Sequence, residues 1–426
     1  MKLIKLAKQL FTIPRSLAGK GNLETLNILS SKCKKKIKIK YFYSGTKFNG
    51  WIIPKEWKVD HAFILNKKKD KIVNFHRNNL ELVVGSDSYN GYLYKRDLKK
   101  KIFTLKKYPE AIPYITNYYS KKFWGVCMSY NNYKKLSDEK YLVNIKTHKK
   151  IGKMHFGEFF IKGKSKKEII FSTYICHPQM ANNELSGPIV MTDLINKLIS
   201  YKRYKNLNFS YRFLFLPETI GTIAYINKNY LLLKKNVFSV FVATCLGTEK
   251  NFKLIHSRYG NTVADKIFKI VLDKTKLKWE KRSYLERGSD ERQWCSPGVN
   301  LPCCSVVTSK YGEYKEYHTS KDDINFISEK GLSRSVNLYF RLFKELEKSE
   351  FYFNKNLGEP KLDIYGIYPK LSTIKTKQYV NNLMNVLTYC DGTNNIQMIS
   401  EICKINLLKV KKIINFLSKK KLIKKI

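Results

Sequence analysis

Residues 168–187, EIIFSTYICHPQMANNELSG, decide the fold. An apolar, β-branched run ends at His177, a Pro- and Asn-rich loop follows, and Ser186-Gly187 opens the helix-like stretch IVMTDLINKLI. A histidine at the carboxyl end of a buried strand, with amide and carboxylate side chains just after it, is how open α/β sheets present ligands in a crevice. Two segments downstream repeat the arrangement. In YRFLFLPETIGTIAYI an apolar run leads straight into Glu218 ahead of a helical pattern. In LERGSDERQWCSPGVNLPCCSVVTSKYGEYKEYHTSKDD, charged residues crowd around Gly288 and Tyr317-His318 precede a helix predicted from about Asp322.

Working outward, strands predicted at 168–176, 209–216 and 237–244 alternate with helices near 187–200 and 221–233. A strand near 252–257, an amphipathic helix over 262–279, a buried strand near 303–308 and a helix over 322–347 complete the unit. Such alternation implies an α/β fold, a mostly parallel sheet flanked by helices. Short helices are expected at 3–12 and 22–31. Residues 51–160 are β-rich and aromatic with little helical periodicity, so they read as an inserted β domain. The expected organisation is 1–50 as the first part of the main domain, 51–160 as the insert, 161–350 as the main domain and 360–426 as a winged helix. The Pro-, Gly- and Asn-rich stretch from Tyr352 to Thr373 reads as a linker.

Composition narrows the function. With 426 residues, 43% of them hydrophobic and 14% aromatic, the chain can bury a sizeable interior, and two or three domains are expected. The formal charge of +47 comes from 81 basic residues, of which 11 are Arg. A diffuse Lys excess accompanied by Ile, Asn, Tyr and Phe fits the bias of an AT-rich genome. Specific phosphate and base recognition leans on Arg forks instead. Specific nucleic-acid binding is therefore not expected, although nonspecific, salt-sensitive adhesion is. Nine cysteines show no CxxC pair and sit mostly in apolar runs, as reduced core thiols do. The basic amino terminus lacks the continuous apolar core of a signal peptide, and no apolar run approaches membrane-spanning length. A cytoplasmic protein with no membrane partner is expected, with homo-oligomerisation left open.

His177 is a candidate metal ligand, the alternative being a structural histidine. Asn183 can coordinate through its carbonyl oxygen or simply cap the next helix. Glu218, at a strand–helix junction on the same rim, can serve as general base for a metal-bound water or as a partner of the helix dipole. Asp290 or Glu291 can complete a metal shell, His318 can be a second imidazole ligand, and Tyr317 can donate to a developing oxyanion. Arg287 and Arg292 are candidate anchors for a substrate carboxylate, with loop ion pairs as the alternative. His256 reads as a core or edge residue.

In this order the segments resemble the zinc-dependent exopeptidase fold. More closely, the chain resembles a family of three-domain, aminopeptidase-like bacterial proteins. The likeness runs from FTIPRSLAGKGNLETLNIL through SGTKFNGWIIPKEW, AIPYITNYYSKKFWGVCMS, YICHPQMANNELSGP, LPETIGTIAYI and ERGSDERQWCSPGVNLP to EPKLDIYGIYP. The resemblance implies that His177 is the first metal ligand, Glu218 the general base, and Tyr317-His318 the final Tyr-His pair of bridged-dizinc aminopeptidases. Asn183 stands where those enzymes bridge two ions with Asp, Thr219 replaces a second Glu, and Thr244-Cys245 lack a further Asp. The expected cofactor is thus a single Zn²⁺ held by His177 and His318, with Asp290 or Asn183 assisting. The expected activity is hydrolysis of an amide in a small peptide or an aminoacylated metabolite, with Arg287, Glu291 and Arg292 at the substrate. The rival expectation is a binding or regulatory protein on a decayed peptidase fold. The tail's candidate recognition helix, LLKVKKIINFLSKKK, lacks an Arg, Gln or Asn pattern suited to base edges, so a packing or protein-contact role is expected of it.

Overall fold

The apolar runs ahead of His177, Glu218 and Thr244 are the strands Glu168–Tyr174, Ser210–Leu216 and Val237–Ala243. With Cys303–Val307 they lie side by side and mutually parallel at the centre of an eight-stranded sheet. Every residue of Val237–Ala243 is buried, which is why these strands read as continuous apolar runs rather than alternating ones. One flank continues antiparallel through Lys153–Ile161 to Lys38–Tyr43. The other continues through Phe252–Ile255, antiparallel to Cys303–Val307, to the edge strand Trp279–Arg282. The computed structural model describes residues 2–120, 122–202, 204–366 and 374–426, with backbone alone for 374–376.

Helices Lys20–Lys32, Ser186–Ile199, Ile220–Asn236 and Val263–Lys274 pack against the sheet. The start of Ser186–Ile199 comes so close that a Cβ on Gly187 would lie 2.3 Å from the Ala243 carbonyl oxygen and 2.3 Å from Thr173 Oγ1. Only glycine fits there. Val263–Lys274 begins with a capping box between Thr262 and Asp265 and buries Val263, Ile267, Phe268 and Val271, an apolar stripe at helical spacing.

Between Lys38–Tyr43 and Lys153–Ile161 the chain builds a separate antiparallel sheet from Glu56–Leu65, Lys71–Asn74, Tyr89–Tyr94 and Lys140–Lys150. Its own core includes Ile64, Val73, Trp124, Val143 and Ile145. Lys153–Ile161, near the end of the β-rich stretch, belongs to the large sheet. Both sheets lie in one compact unit, Met1–Leu342, and a second unit covers Phe343–Ile426.

The second unit has the winged-helix order, with helices Ile374–Thr388, Ile396–Cys403 and Leu407–Lys419. Leu407–Lys419 buries Val410, Ile413, Ile414 and Leu417. Its sheet corrects the linker assignment: Phe351–Asn354 is the central strand, paired antiparallel with Asp391–Asn395 and Ile423–Lys425. Part of the assigned linker, 367–373, lies outside the described residues.

Two more boundaries differ from expectation. The helix predicted over 262–279 ends at Lys274, and Trp279–Arg282 forms the sheet edge. The helix expected from Asp322 starts at Glu329, capped by the Ser328 hydroxyl, while the Asp322 carboxylate accepts the amides of Asn182 and Asn183. All nine cysteines are free. Among the described residues no helix is long and apolar enough to cross a membrane.

Candidate active site

Parallel strands deliver their carboxyl ends to one rim, and the candidate residues gather there. His177 follows Glu168–Tyr174 and is buried. Glu218 follows Ser210–Leu216, and its Oε2 lies 3.6 Å from His177 Nε2. His318 arrives from the loop after Cys303–Val307, with its ring 5.4 Å from that of His177. Tyr114, from the inserted segment, packs against both imidazoles at 5.1 Å and 5.2 Å, and its N–H donates to the His318 carbonyl at 2.9 Å. His177, Glu218, His318 and Arg292 line one cavity of about 580 Å³, with Tyr114, Tyr118 and Trp51 across from them.

The His177 ring is fixed from behind. Its Nδ1 is 2.7 Å from Glu184 Oε2, and the Cys176 thiol lies 3.5 Å from the same nitrogen. Fully buried Arg15 donates to the His177 carbonyl at 2.9 Å and the Leu10 carbonyl at 2.7 Å, with Nε 4.0 Å from Glu184 Oε1. A carboxylate on one imidazole nitrogen fixes tautomer and ring plane and turns the other nitrogen to the ligand. Burial works against charge on His177, but Cys176 and Glu184 outweigh it and hold the imidazole well above the ordinary histidine range. His318 is pushed down to about 3 by burial and by the charge of His177, so it stays neutral. Glu218 is raised by burial, against the pull of His177 and Arg292. A base, a neutral imidazole and an oriented imidazole thus share one crevice.

The remaining candidates separate. Asn183 sits in a π-helical turn, Ala181–Leu185, with its amide engaged: Oδ1 accepts from the Tyr174 hydroxyl at 3.1 Å and from the Cys245 thiol at 3.6 Å. Asp290 lies under the rim, accepting from the Thr219 amide and the Thr222 hydroxyl, both at 2.8 Å. Burial, reinforced by Glu218, raises its carboxyl to about 7. It anchors the start of Ile220–Asn236 instead of facing His177. Glu291 is fully buried and accepts from the amides of Gly288 and Ser289 and from the Tyr311 hydroxyl. Arg287 is exposed over the Tyr284 ring and does not line the cavity, whereas Arg292 does. Tyr317 stacks on His318 at 3.9 Å, and its hydroxyl is held protonated by burial and by Glu218.

Four non-glycine rim residues, Gln179, Thr219, Cys245 and His318, have φ of 43°, 64°, 52° and 53°. Left-handed backbone is costly for such side chains, most of all for β-branched Thr219, and it clusters at sites whose geometry matters. Sequence reasoning missed Arg15, Tyr114, Tyr174, Cys176 and Glu184. Only Glu184 carried a signal, a carboxylate beside Asn183 in the loop after the strand.

By donor type the site suits one ion: two imidazoles, with ring centroids 5.4 Å apart, and the Glu218 carboxylate 3.6 Å from His177 Nε2. A bridged pair does not fit, because Asn183, Thr219 and Cys245 offer no charge. Among the described residues, the group whose donor atoms all lie within 4.8 Å of one another is instead Cys176, His177 and Glu184. With the Cys176 thiol raised by burial to about 11 and the Arg15 guanidinium adjacent, that trio is a buttress, not a cation site.

Residues 350–425 match the winged helix-turn-helix family. A Clostridium acetobutylicum protein named for polysaccharide biosynthesis and an aminopeptidase-like domain is 35% identical over 399 residues, covering 93% of this chain and 89% of its own length. A crystal structure of a candidate peptidase from Clostridium acetobutylicum is 32% identical, with a TM-score of 0.80 over 100% of this chain and 96% of that one. A zinc aminopeptidase from Bacillus subtilis shares the fold at 14% identity, with a TM-score of 0.59 over 81% of this chain and 94% of that one. Residues 4–349 match the family described as "Domain of unknown function (DUF4910)", and the chain belongs to that family, with a zinc aminopeptidase-like fold and a carboxyl-terminal winged helix.

Proposed function

We propose that the protein is a metal-dependent hydrolase of the aminopeptidase type that cleaves an amide bond in a small peptide or an acylated metabolite. The observation that carries this reading is the meeting of His177, Glu218 and His318 in one cavity, with His177 Nδ1 held 2.7 Å from Glu184. A structural histidine does not require a buried carboxylate behind it and a second imidazole in front. His177 and His318 would hold one Zn²⁺, which supplies Lewis-acid polarisation and a more acidic water.

The chain's own groups do the rest. Glu218 takes a proton at a carboxylate oxygen from the attacking water, and burial raises its affinity for that proton. Water oxygen bonds to the carbonyl carbon, the C–N bond breaks, and the proton passes from Glu218 to the leaving nitrogen. The Tyr317 hydroxyl donates to the developing oxyanion. The aromatic wall of Trp51, Tyr114 and Tyr118 limits substrate size. Substrates from polysaccharide biosynthesis, the process in the name of the Clostridium relative, fit the acylated-metabolite class.

Glu218→Gln is expected to lower amidase turnover about 10²–10⁴-fold while leaving zinc content and melting temperature unchanged. The measurement is a panel of amides assayed with and without chelator. A second reading, a binding protein on a decayed fold, is favoured by the engaged amide of Asn183. A protein that holds no metal and hydrolyses no amide, with or without Glu218, would decide for that reading.

A further inference from the structure

The cavity's charges favour one kind of substrate over another. Among the described residues that line it, Arg292 is the one Lys or Arg and Glu218 the one carboxylate. An enzyme that captures a free α-amine needs spare negative charge beside the scissile bond. Here Asn183, Thr219 and Cys245 are uncharged, and Glu218 is committed to proton transfer. An ammonium group would meet Arg292, whose guanidinium is always charged.

Arg292 feels the charges of Glu218 and Asp290 but is closely paired with neither. It donates through Nη2 to Thr219 Oγ1 at 2.7 Å, its Nε is buried with no hydrogen-bond partner, and among the described residues it has no ion pair. Nε is enclosed and out of a ligand's reach, so the guanidinium offers its Nη edge to the cavity, a charged donor matched by a carboxylate. That edge lies within electrostatic reach of Glu218, so an anion held there sits next to the reacting amide. Tyr114, Tyr118, Tyr119 and Trp51 add an apolar wall for a side chain on the same substrate.

We propose that this site takes an amide whose nitrogen side carries a free carboxylate, such as an N-acyl amino acid or a peptide's last residue, gripped by Arg292, and not an amide beside a free α-amine. This rests on the hydrolase reading for the reaction, though not for binding, and departs from aminopeptidase specificity, which requires the free α-amine.

Calorimetric titration of the full-length protein with three probes tests it: N-acetyl-L-phenylalanine, its carboxamide, and L-phenylalaninamide. The acid is expected to bind about tenfold or more tightly than the carboxamide, with the free amine weakest. Arg292→Gln is expected to abolish that preference while leaving carboxamide affinity unchanged, and Arg292→Lys to restore part of it. A merely structural role for Arg292 would move all three probes together. Strongest binding by the free amine, an acid preference that survives Arg292→Gln, or no binding of any probe at millimolar concentration would each overturn the proposal. A protein that binds the acid but cleaves no amide keeps this subsite and loses the hydrolase reading. One that cleaves amides with no preference for the acid keeps the hydrolase reading and loses the subsite.

Discussion

Glu184 shows how one buried side chain joins stability to chemistry. It is fully buried between the Arg15 guanidinium and the His177 imidazole, and its Oε1 has no hydrogen-bond partner. Such a carboxylate survives in the interior only because cations flank it. Glu184→Gln keeps the volume and removes the charge. Zinc affinity is expected to fall about 10–100-fold, read by competition titration, because the His177 ring loses its orienting carboxylate. Chemical denaturation should show a loss of about 3–5 kcal/mol, because Arg15 is then buried without a counter-ion. If both quantities matched the unsubstituted protein, the buttress would be ornamental. Only the carboxylate of Glu184 in the loop after the strand was legible in the sequence, and its pairing was not. Glu184 sits seven positions after His177 and Arg15 far before it, so only the tertiary fold brings the three together.

At the scale of elements, the π-helical turn Ala181–Leu185 hangs from Asp322, which accepts the amides of Asn182 at 2.6 Å and Asn183 at 2.9 Å and the Tyr314 hydroxyl at 3.3 Å. Burial, opposed by those bonds, raises its carboxyl from 3.8 to about 7. Over that window the folded protein holds a proton that the unfolded chain releases. The contribution of Asp322 is therefore fully present below about pH 4 and declines as pH rises toward 7. Melting temperature followed across pH 4–7 is expected to show this decline, and Asp322→Asn to make it shallower, with Asp290 supplying a similar part of the slope; an identical slope in the variant would exclude the assignment. The last helix of the main unit was predicted too early because Asp323 caps a separate short turn, Ile324–Phe326, and the helix is capped only at Ser328, whose hydroxyl accepts the Gly331 amide. The central strands were readable because each is a β-branched or aromatic run that stops at a polar residue. Trp279–Arg282 was not, because a four-residue edge strand with charged, exposed members looks like the end of an amphipathic helix. The rim followed from the strands, which is why His177, Glu218 and His318 were found by position. Asp290 and Asn183 lie at the same rim by sequence, but their hydrogen bonds turn them inward.

For the whole molecule, the charge of +47 predicts adhesion without discrimination. Retention on duplex DNA is expected to fall about 10³-fold or more between 50 and 200 mM salt, equally for unrelated sequences. Electrophoretic shifts at graded salt with two scrambled duplexes would check it, and a sequence preference that persists at the higher salt would assign the winged helix a recognition role. The cavity draws its walls from remote parts of the chain. Leu17 and Trp51 come early, Tyr114 from the inserted segment, His177 and Glu218 from the middle, and His318 late. During synthesis, then, the pocket is incomplete until His318 has been made. A nascent chain on the ribosome is inert until its second imidazole clears the exit tunnel, so translation itself delays the moment at which this protein can touch its ligand.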